Sequence, residues 1–532
     1  MRVLIFHGYL LGGTGSNVYN ALLAEALVGL GHEVHLLSQD RHPESHPFVD
    51  AVGDWDEGAL RVRETRPAVT DPAAPRAGRC TVYRPNIGGL LPVYVADRYE
   101  GIEARTFADC SDEQIAAYIE ANVLAVRELA ERVRPQLALA NHLVMGPVIL
   151  ARALAGEVPY AVKIHGSALE YTVKRDPERF LELAREGLAG AQGILVGSRH
   201  TALSLWQALG AERLRARTRL GPPGVDLERF APREPAEAAV ALRALAAGLA
   251  ARAEAPPAGG LRSAFDRDEG AGARALARLD PERDLLVAFV GKLIVSKGVE
   301  IPLAAWPLVL AREPRARLVV VGFGAYREGL QRLSEALCAG DLDGARAIAG
   351  AGRALEGGSR RPPEPLRHLL AFLDGLRGEE LAGYLAAARE LQERVVFTGR
   401  LEHEELAELL PACRALVVPS TFPEAFGMVA VEAAACGVLP ISAAHSGLQE
   451  VSDALASAVP EQVAPWLSFP VDDGAVGALA GRVSAWLQAD PELRSQTRSG
   501  LLRTVRARWS WEGVGRGVIA AARGELDGLA EP

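Results

Sequence analysis

Two carboxylates eight positions apart, Glu424 and Glu432, lie in Pro423-Glu-Ala-Phe-Gly-Met-Val-Ala-Val-Glu-Ala-Ala-Ala-Cys-Gly437, just after an apolar run that ends at Pro419-Ser420. The small residues predict a helix opening at Gly427 or Met428, with Glu424 in the loop before it and Glu432 about one turn inside. Amides of Phe426, Gly427 and Met428 then point at whatever docks on the helix start. A diphosphate or a sugar hydroxyl suits such unpaired N–H groups. A carboxylate accepts hydrogen bonds from two vicinal hydroxyls at once, which suits Glu432 to a ribose. The plainer reading makes one acid the cap of its own helix and the other part of a solvated face.

A second chemical element opens the chain. The apolar run Arg2-Val-Leu-Ile-Phe6 leads into His7-Gly-Tyr-Leu-Leu-Gly-Gly-Thr-Gly-Ser-Asn17 and then a helical pattern. Gly12, Gly13 and Gly15 permit tight turns and close backbone approach, and the helix start carries a partial positive charge. An anion fits there, and so does a turn with no ligand. Counted from Gly13, Val18 stands where the third glycine of a dinucleotide fingerprint belongs, which disfavours a nicotinamide dehydrogenase.

These loops need strands to hold them. In the first half, short apolar runs alternate with helical patterns, the signature of βαβ units: Val3 to Phe6, Glu33 to Leu37, Leu137 to Asn141, Tyr160 to Ile164 and Ile194 to Gly197. The stretch from about His42 to Arg79, rich in proline and charge, reads as dominated by loop. A second series predicts another sheet from Leu286 to Val290, Leu318 to Val321, Val395 to Phe397, Ala415 to Val418 and Leu439 to Ser442. Between them Gly221-Pro-Pro-Gly224 carries turn residues suited to a crossover. The expected domains are 1–222, with a final helix at about 508–532 crossing back onto it, and 223–507. Segments of about 231–280 and 327–390, rich in Ala, Leu, Arg and Glu, read as helical insertions. They serve as packing or oligomer surfaces, a homodimer included, or as acceptor-recognition or lid elements.

Bulk properties narrow the class. A chain of 532 residues with 49% hydrophobic and 23% charged residues is globular and too long for one core. A formal charge of -9 argues against a nucleic-acid partner. Five scattered cysteines suggest neither disulfides nor a zinc knuckle. With no signal-peptide pattern and no apolar stretch of membrane-spanning length, a cytoplasmic location is expected, and a lipid acceptor would be met at the membrane surface.

The flanking motifs go further. Glu424 and Glu432 with seven residues between them, Val290-Gly-Lys-Leu-Ile-Val-Ser-Lys-Gly298, Val319-Val-Val-Gly-Phe-Gly324, Val395-Val-Phe-Thr-Gly-Arg-Leu401, Gly224-Val-Asp-Leu-Glu-Arg-Phe230 and Val162-Lys-Ile-His-Gly-Ser167 occur together in one order. In this the sequence resembles the family 4 glycosyltransferases. The resemblance implies an α/β chain of the GT-B fold, two Rossmann-like domains facing each other across a cleft, with the nucleotide-sugar donor on the C-terminal one. It implies Lys292 and Lys297 as the pair holding the diphosphate, where two cations replace the divalent metal other transferases use. Lys292 stands where arginine is common, so a fork becomes a point charge. No Asp-x-Asp metal motif occupies a comparable position.

By the same resemblance Glu432 binds the ribose, Glu424 contacts the transferred sugar, Gly324, Arg400 and Leu401 frame the base, and His165 lies beside the donor sugar. His403 reads as a helix start only. The implied reaction retains anomeric configuration, with a UDP- or GDP-linked sugar as substrate, no cofactor, no metal, and an unidentified sugar, lipid or small-molecule acceptor. Rival readings are another GT-B enzyme, such as a nucleotide-sugar epimerase or a phosphorylase, and a non-catalytic protein that binds sugar nucleotides.

Overall fold

The computed structural model describes residues 1–56, 58–66, 78–94, 102–210, 212–254, 267–357 and 364–532. The chain divides into two compact units, one of Met1–Gly224 with Trp509–Pro532 and one of the described residues from Val225 to Arg508. Each holds one main sheet.

The first unit contains strands β1 (Arg2–Phe6), β2 (Glu33–Leu37), β3 (Ala51–Asp56), β4 (Ala59–Glu64), β5 (Arg79–Arg84), β6 (Leu90–Val93), β7 (Glu103–Thr106), β8 (Leu137–Asn141), β9 (Tyr160–Ile164), β10 (Gly193–Val196) and β11 (Thr218–Leu220). Nine of them form a sheet in the order β11-β10-β9-β8-β1-β2-β5-β3-β4, and β6 pairs with β7 separately. Every pairing in the large sheet is parallel except β3 with β4. The inner strands read as unbroken apolar runs because helices cover both faces, leaving no wet side to call for alternation.

The segment read as dominated by loop, about His42 to Arg79, also contains β3 and β4, two strands that reading does not include; residues 57 and 67–77 of it lie outside the described residues. The charges belong to an edge. Arg61, Arg63 and Glu64 on β4 are exposed, as suits an edge strand that must not pair with another chain. On β3, Val52 is buried and Asp54 pairs with Arg84, its register partner on β5.

The helix Trp511–Arg523, capped by the Ser510 hydroxyl, packs within this unit. Trp511 lies against Tyr19, with ring centroids 5.5 Å apart. A Cβ at Gly193 would fall 2.7 Å from the Ala521 carbonyl oxygen, so β10 and this helix approach backbone to backbone.

The second unit holds β12 (Leu285–Val290), β13 (Ala316–Val321), β14 (Val395–Gly399), β15 (Ala415–Val418), β16 (Leu439–Ala443) and β17 (Ser468–Phe469). They form one parallel sheet in the order β14-β13-β12-β15-β16-β17. Helices Pro235–Ala253 and Glu269–Leu276 occupy the region of the first expected insertion, and Arg327–Ala339, Leu342–Ala351, Arg367–Gly375 and Gly378–Ala388 that of the second. Residues 255–266 and 358–363 of those regions lie outside the described residues. Among the described residues no helix is long and apolar enough to cross a membrane.

Strand order predicts where ligands go. In an open parallel sheet the loops after two strands diverge where the order reverses, and a crevice opens outside their carboxyl ends. The reversal falls between β1 and β8 in the first sheet and between β12 and β15 in the second.

Candidate functional site

In the second unit the loops after β12 and β15 are stitched together. Gly298 has φ +65°, and a Cβ there would lie 2.1 Å from the Pro419 carbonyl oxygen, so only glycine lets the loop pass so close. The Thr421 N–H donates to the Ser296 carbonyl at 3.0 Å. This contact brings Lys297 to Glu424, whose Oε1 accepts from the lysine ammonium and, at 2.6 Å, from the Ser420 hydroxyl. Burial alone would push the Glu424 carboxyl up; Lys297, Ser420 and His445 outweigh it and hold the group below the usual range. With 30% and 25% of the two side chains exposed, the pair adds little stability but orients both groups. Lys292 stands half-buried two positions past β12.

Two residues not read from sequence, Ser446 and Gly447, fix the backbone of Glu424, and a third, His445, braces Ser446 and Ser420. Its N–H donates to the Ser446 hydroxyl at 2.9 Å, and the Gly447 N–H donates to its carbonyl at 3.0 Å. His445 Nε2 lies 2.7 Å from the Ser420 carbonyl, which can only accept, so that nitrogen carries the proton. Its Nδ1 then accepts from the Ser446 hydroxyl at 3.0 Å.

Glu432 lies in the helix Met428–Ala435, which follows Gly427 and has no side-chain cap. It is buried, and its Oε1 is 2.8 Å from His403 Nε2. His403 begins the helix His403–Leu409, as expected, but its ring also holds this acid and packs 4.7 Å from the Phe230 ring. Among the described residues the second oxygen of Glu432 has no side-chain partner.

At the next strand ends, a Cβ at Gly324 would lie 2.3 Å from the Leu293 carbonyl oxygen, Arg400 lies over the Phe323 ring at 5.8 Å and pairs with Glu402, and Leu401 is buried. Phe426, Gly427 and Met428 form the helix start itself.

The first unit presents a different chemistry. After β1, buried His7 places Nε2 2.9 Å from the Leu10 carbonyl and 3.1 Å from Asn17 Oδ1, while Nδ1 accepts from Asn20 at 3.1 Å. Burial pushes this imidazole down to about 4. Asn17 also donates to the Gly12 carbonyl at 2.7 Å; Gly13 takes φ +90° and Gly15 begins the helix Gly15–Gly29. The loop already meets a carboxylate, since Asp40 accepts from the Leu11 N–H at 2.9 Å.

After β8 and β9 stand His142 and His165, with rings 4.8 Å apart. His165 Nε2 donates to Asn141 Oδ1 at 2.9 Å, and burial with neighbouring His142 and Lys163 keeps the imidazole neutral. His142 has φ +67° and is buried among His165, Tyr94, Tyr9 and His7. Neither of its ring nitrogens has a partner among the described residues. Lys163, buried in β9, donates to the Gly221 carbonyl and lies over the Tyr19 ring. Burial brings its ammonium down to about 7.

His142, Ser420 and His445 all stand within a few residues of the carboxyl end of a parallel strand. Scanning the residues that follow each predicted strand is the signal that finds them; His165 is selected by the family resemblance instead.

Two family models match the sequence, the glycosyl transferase 4-like domain over residues 14–224 and glycosyl transferases group 1 over residues 370–498. The chain belongs to the family 4, group 1 glycosyltransferases. A D-inositol 3-phosphate glycosyltransferase of Segniliparus rotundus is 30% identical over 268 residues, which are 50% of this chain and 45% of that protein. The chain thus spans just under half the length of that relative. One of the same name from Frankia alni is 25% identical over 438 residues, 81% of this chain and 84% of that one.

Among solved structures, sucrose-phosphate synthase from Thermosynechococcus elongatus superposes with a TM-score of 0.55 at 19% identity, covering 99% of each chain. Anabaena HepE in complex with UDP and glucose gives 0.53 at 16% identity, covering 99% of this chain and 100% of that one. These likenesses establish the GT-B fold. This family 4 glycosyltransferase keeps Glu424 and Glu432 inside the group 1 match, while Lys292 and Lys297 fall in the stretch between the two matches.

Proposed function

We propose that the chain transfers a glycosyl group from a nucleoside diphosphate sugar, UDP- or GDP-linked, to an acceptor hydroxyl with retention of configuration. The observation that carries this reading is Lys297 held on Glu424 at the reversal of the second sheet, with Glu432, eight residues further along the chain, held on His403.

A cation at a switch point suits a diphosphate. Lys297 and Lys292 neutralise charge that accumulates on the nucleotide as the glycosidic bond breaks, the role a divalent metal fills in other transferases. When phosphate engages Lys297, the carboxylate of Glu424 is left to accept from a hydroxyl of the transferred sugar. Glu432 meets the ribose through its second oxygen, since His403 already takes the first, so imidazole and carboxylate address the diol together. No carboxylate nucleophile is required, because the departing phosphate takes the proton of the incoming acceptor hydroxyl.

In the first unit, neutral His165 receives a hydroxyl of the donor sugar, and acceptor contacts come from the same strand ends. The relatives named D-inositol 3-phosphate glycosyltransferase make a cyclic polyol phosphate the first acceptor to test. The experiment is a panel of UDP- and GDP-sugars incubated with the full chain, with and without inositol phosphates, sugars and lipid acceptors, followed by mass spectrometry. A glycosylated product whose formation falls in Lys297→Ala and Glu432→Ala supports the reading. Failure to bind or cleave any nucleotide sugar overturns it.

A further inference from the structure

The region between β13 and β14 reaches back to the lysine loop. Its helix Leu342–Ala351 runs into a one-turn 3-10 segment, Gly352–Glu356, and the side chain of Glu356 ends on the loop after β12. There its Oε1 accepts from the Val295 N–H at 2.5 Å.

Val295 begins the three-residue 3-10 turn Val295–Lys297, and Ile294 before it has no side-chain atom able to cap the turn. A first-turn N–H has no partner inside its own turn, and here the chain supplies one from a segment sixty-one residues away. The carboxylate is itself fixed. Gly352 takes φ +49°, a Cβ there would fall 1.8 Å from the Glu364 carbonyl oxygen, and the Arg353 N–H donates to that oxygen at 3.1 Å. The Arg353 guanidinium pairs with Glu364 at 2.7 Å and with Glu356 at 3.8 Å, so part of the carboxylate's charge is neutralised before it meets the loop. The side chains of Glu356 and Arg353 are 11% and 17% exposed, in keeping with a permanent contact.

We propose that Glu356 is a positioning residue for the donor diphosphate: it caps the turn that ends in Lys297 and so sets where that ammonium stands. The inference rests on the assignment of Lys297 to the diphosphate. It gives the second insertion a task within the donor site. The residue lies in the stretch between the two family matches, so neither matched segment accounts for it.

The test is calorimetric titration of the full chain with UDP and GDP, with UMP and GMP as controls, for wild type, Glu356→Ala and Glu356→Gln. Loss of a charge-assisted hydrogen bond at this cap is worth about tenfold in affinity. Glu356→Ala is therefore expected to weaken the bound diphosphate by about 10-fold and leave the monophosphate within about 2-fold, with the unfolding midpoint little moved. Glu356→Gln keeps an acceptor oxygen and is expected to return to within about 3-fold of wild type.

Three results overturn the proposal while leaving the donor site intact. Unchanged affinity in Glu356→Ala shows the cap has no effect. Tighter diphosphate binding in Glu356→Ala shows that the carboxylate stands where a phosphate belongs. Equal loss of mono- and diphosphate with a fallen midpoint shows only a damaged fold. A wild-type chain that binds neither UDP nor GDP overturns the donor-site assignment and this inference with it.

Discussion

The two units solve the same topological problem with opposite electrostatics. At the reversal of the first sheet stand neutral imidazoles, His7, His142 and His165, in a nest of tyrosines and asparagines, and buried Lys163 nearby meets a carbonyl rather than an acid. At the reversal of the second stand the pairs Lys297–Glu424 and His403–Glu432. The difference is chemical. A hydroxyl needs a donor and an acceptor of modest strength, which neutral imidazole provides. A diphosphate needs fixed positive charge, and that charge needs a counter-ion while the ligand is away. In the function proposed above Lys297 on Glu424 supplies both, since the acid that holds the lysine is the one assigned to the transferred sugar.

The sharpest way to break this contrast is to remove the cation. Lys297→Ala is expected to lower the rate of nucleoside diphosphate release at saturating nucleotide sugar by about 10²- to 10³-fold, the scale of losing one preorganised charge at a leaving group. An initial-rate assay decides it, and an unchanged rate would move the diphosphate elsewhere. Next in size is the second charged pair. Glu432→Ala is expected to weaken nucleotide binding by about 30-fold, and His403→Ala by about 5-fold because the carboxylate survives but turns freely. Equal affinities for wild type and both variants in calorimetry would show that the ribose is not held there. On the neutral side, His165→Ala is expected to slow transfer by about 10-fold with little change in nucleotide affinity. A large drop in affinity instead would mean that the first unit grips the nucleotide.

How far this contrast is legible in the sequence depends on distance along the chain. Val3 to Phe6, Leu137 to Asn141 and Ala415 to Val418 declare buried parallel strands because both faces are apolar. β3 and β4 do not, because an edge strand wears its charges outward and looks like a loop. Glu424 and Glu432 declare themselves by spacing across a single helix start. What holds them is not legible, since His403 reaches Glu432 across 29 residues and Lys297 reaches Glu424 across 127. The same is true of Glu356, which in sequence is one acid among many in an Ala- and Arg-rich segment. The chance of meeting a given partner over such separations is set by topology, and only the strand order brings those ends together.

The smallest expected effect separates the units by the sign of their pH response. Burial lowers Lys163 to about 7, so between about pH 7 and its ordinary 10.5 the unfolded chain binds the extra proton and stability rises with pH. Glu300, buried at the head of the helix Glu300–Leu310 with Oε2 unpartnered among the described residues, is raised to about 8, mainly by burial. Between 4.5 and about 8 the folded chain binds the extra proton, so its contribution is full below 4.5 and is lost as pH rises through 8. Unfolding midpoints of Lys163→Met and Glu300→Gln, each subtracted from wild type at the same pH, cancel every other titration. The Lys163 difference is expected to climb from pH 7 to 10 and the Glu300 difference to fall from pH 5 to 8, each by about 5 °C at most. A difference that stays flat with pH would show that the group concerned is solvated in the folded chain; burial holds both groups in their uncharged forms, so the opposite slopes arise because one unit buries a base and the other an acid.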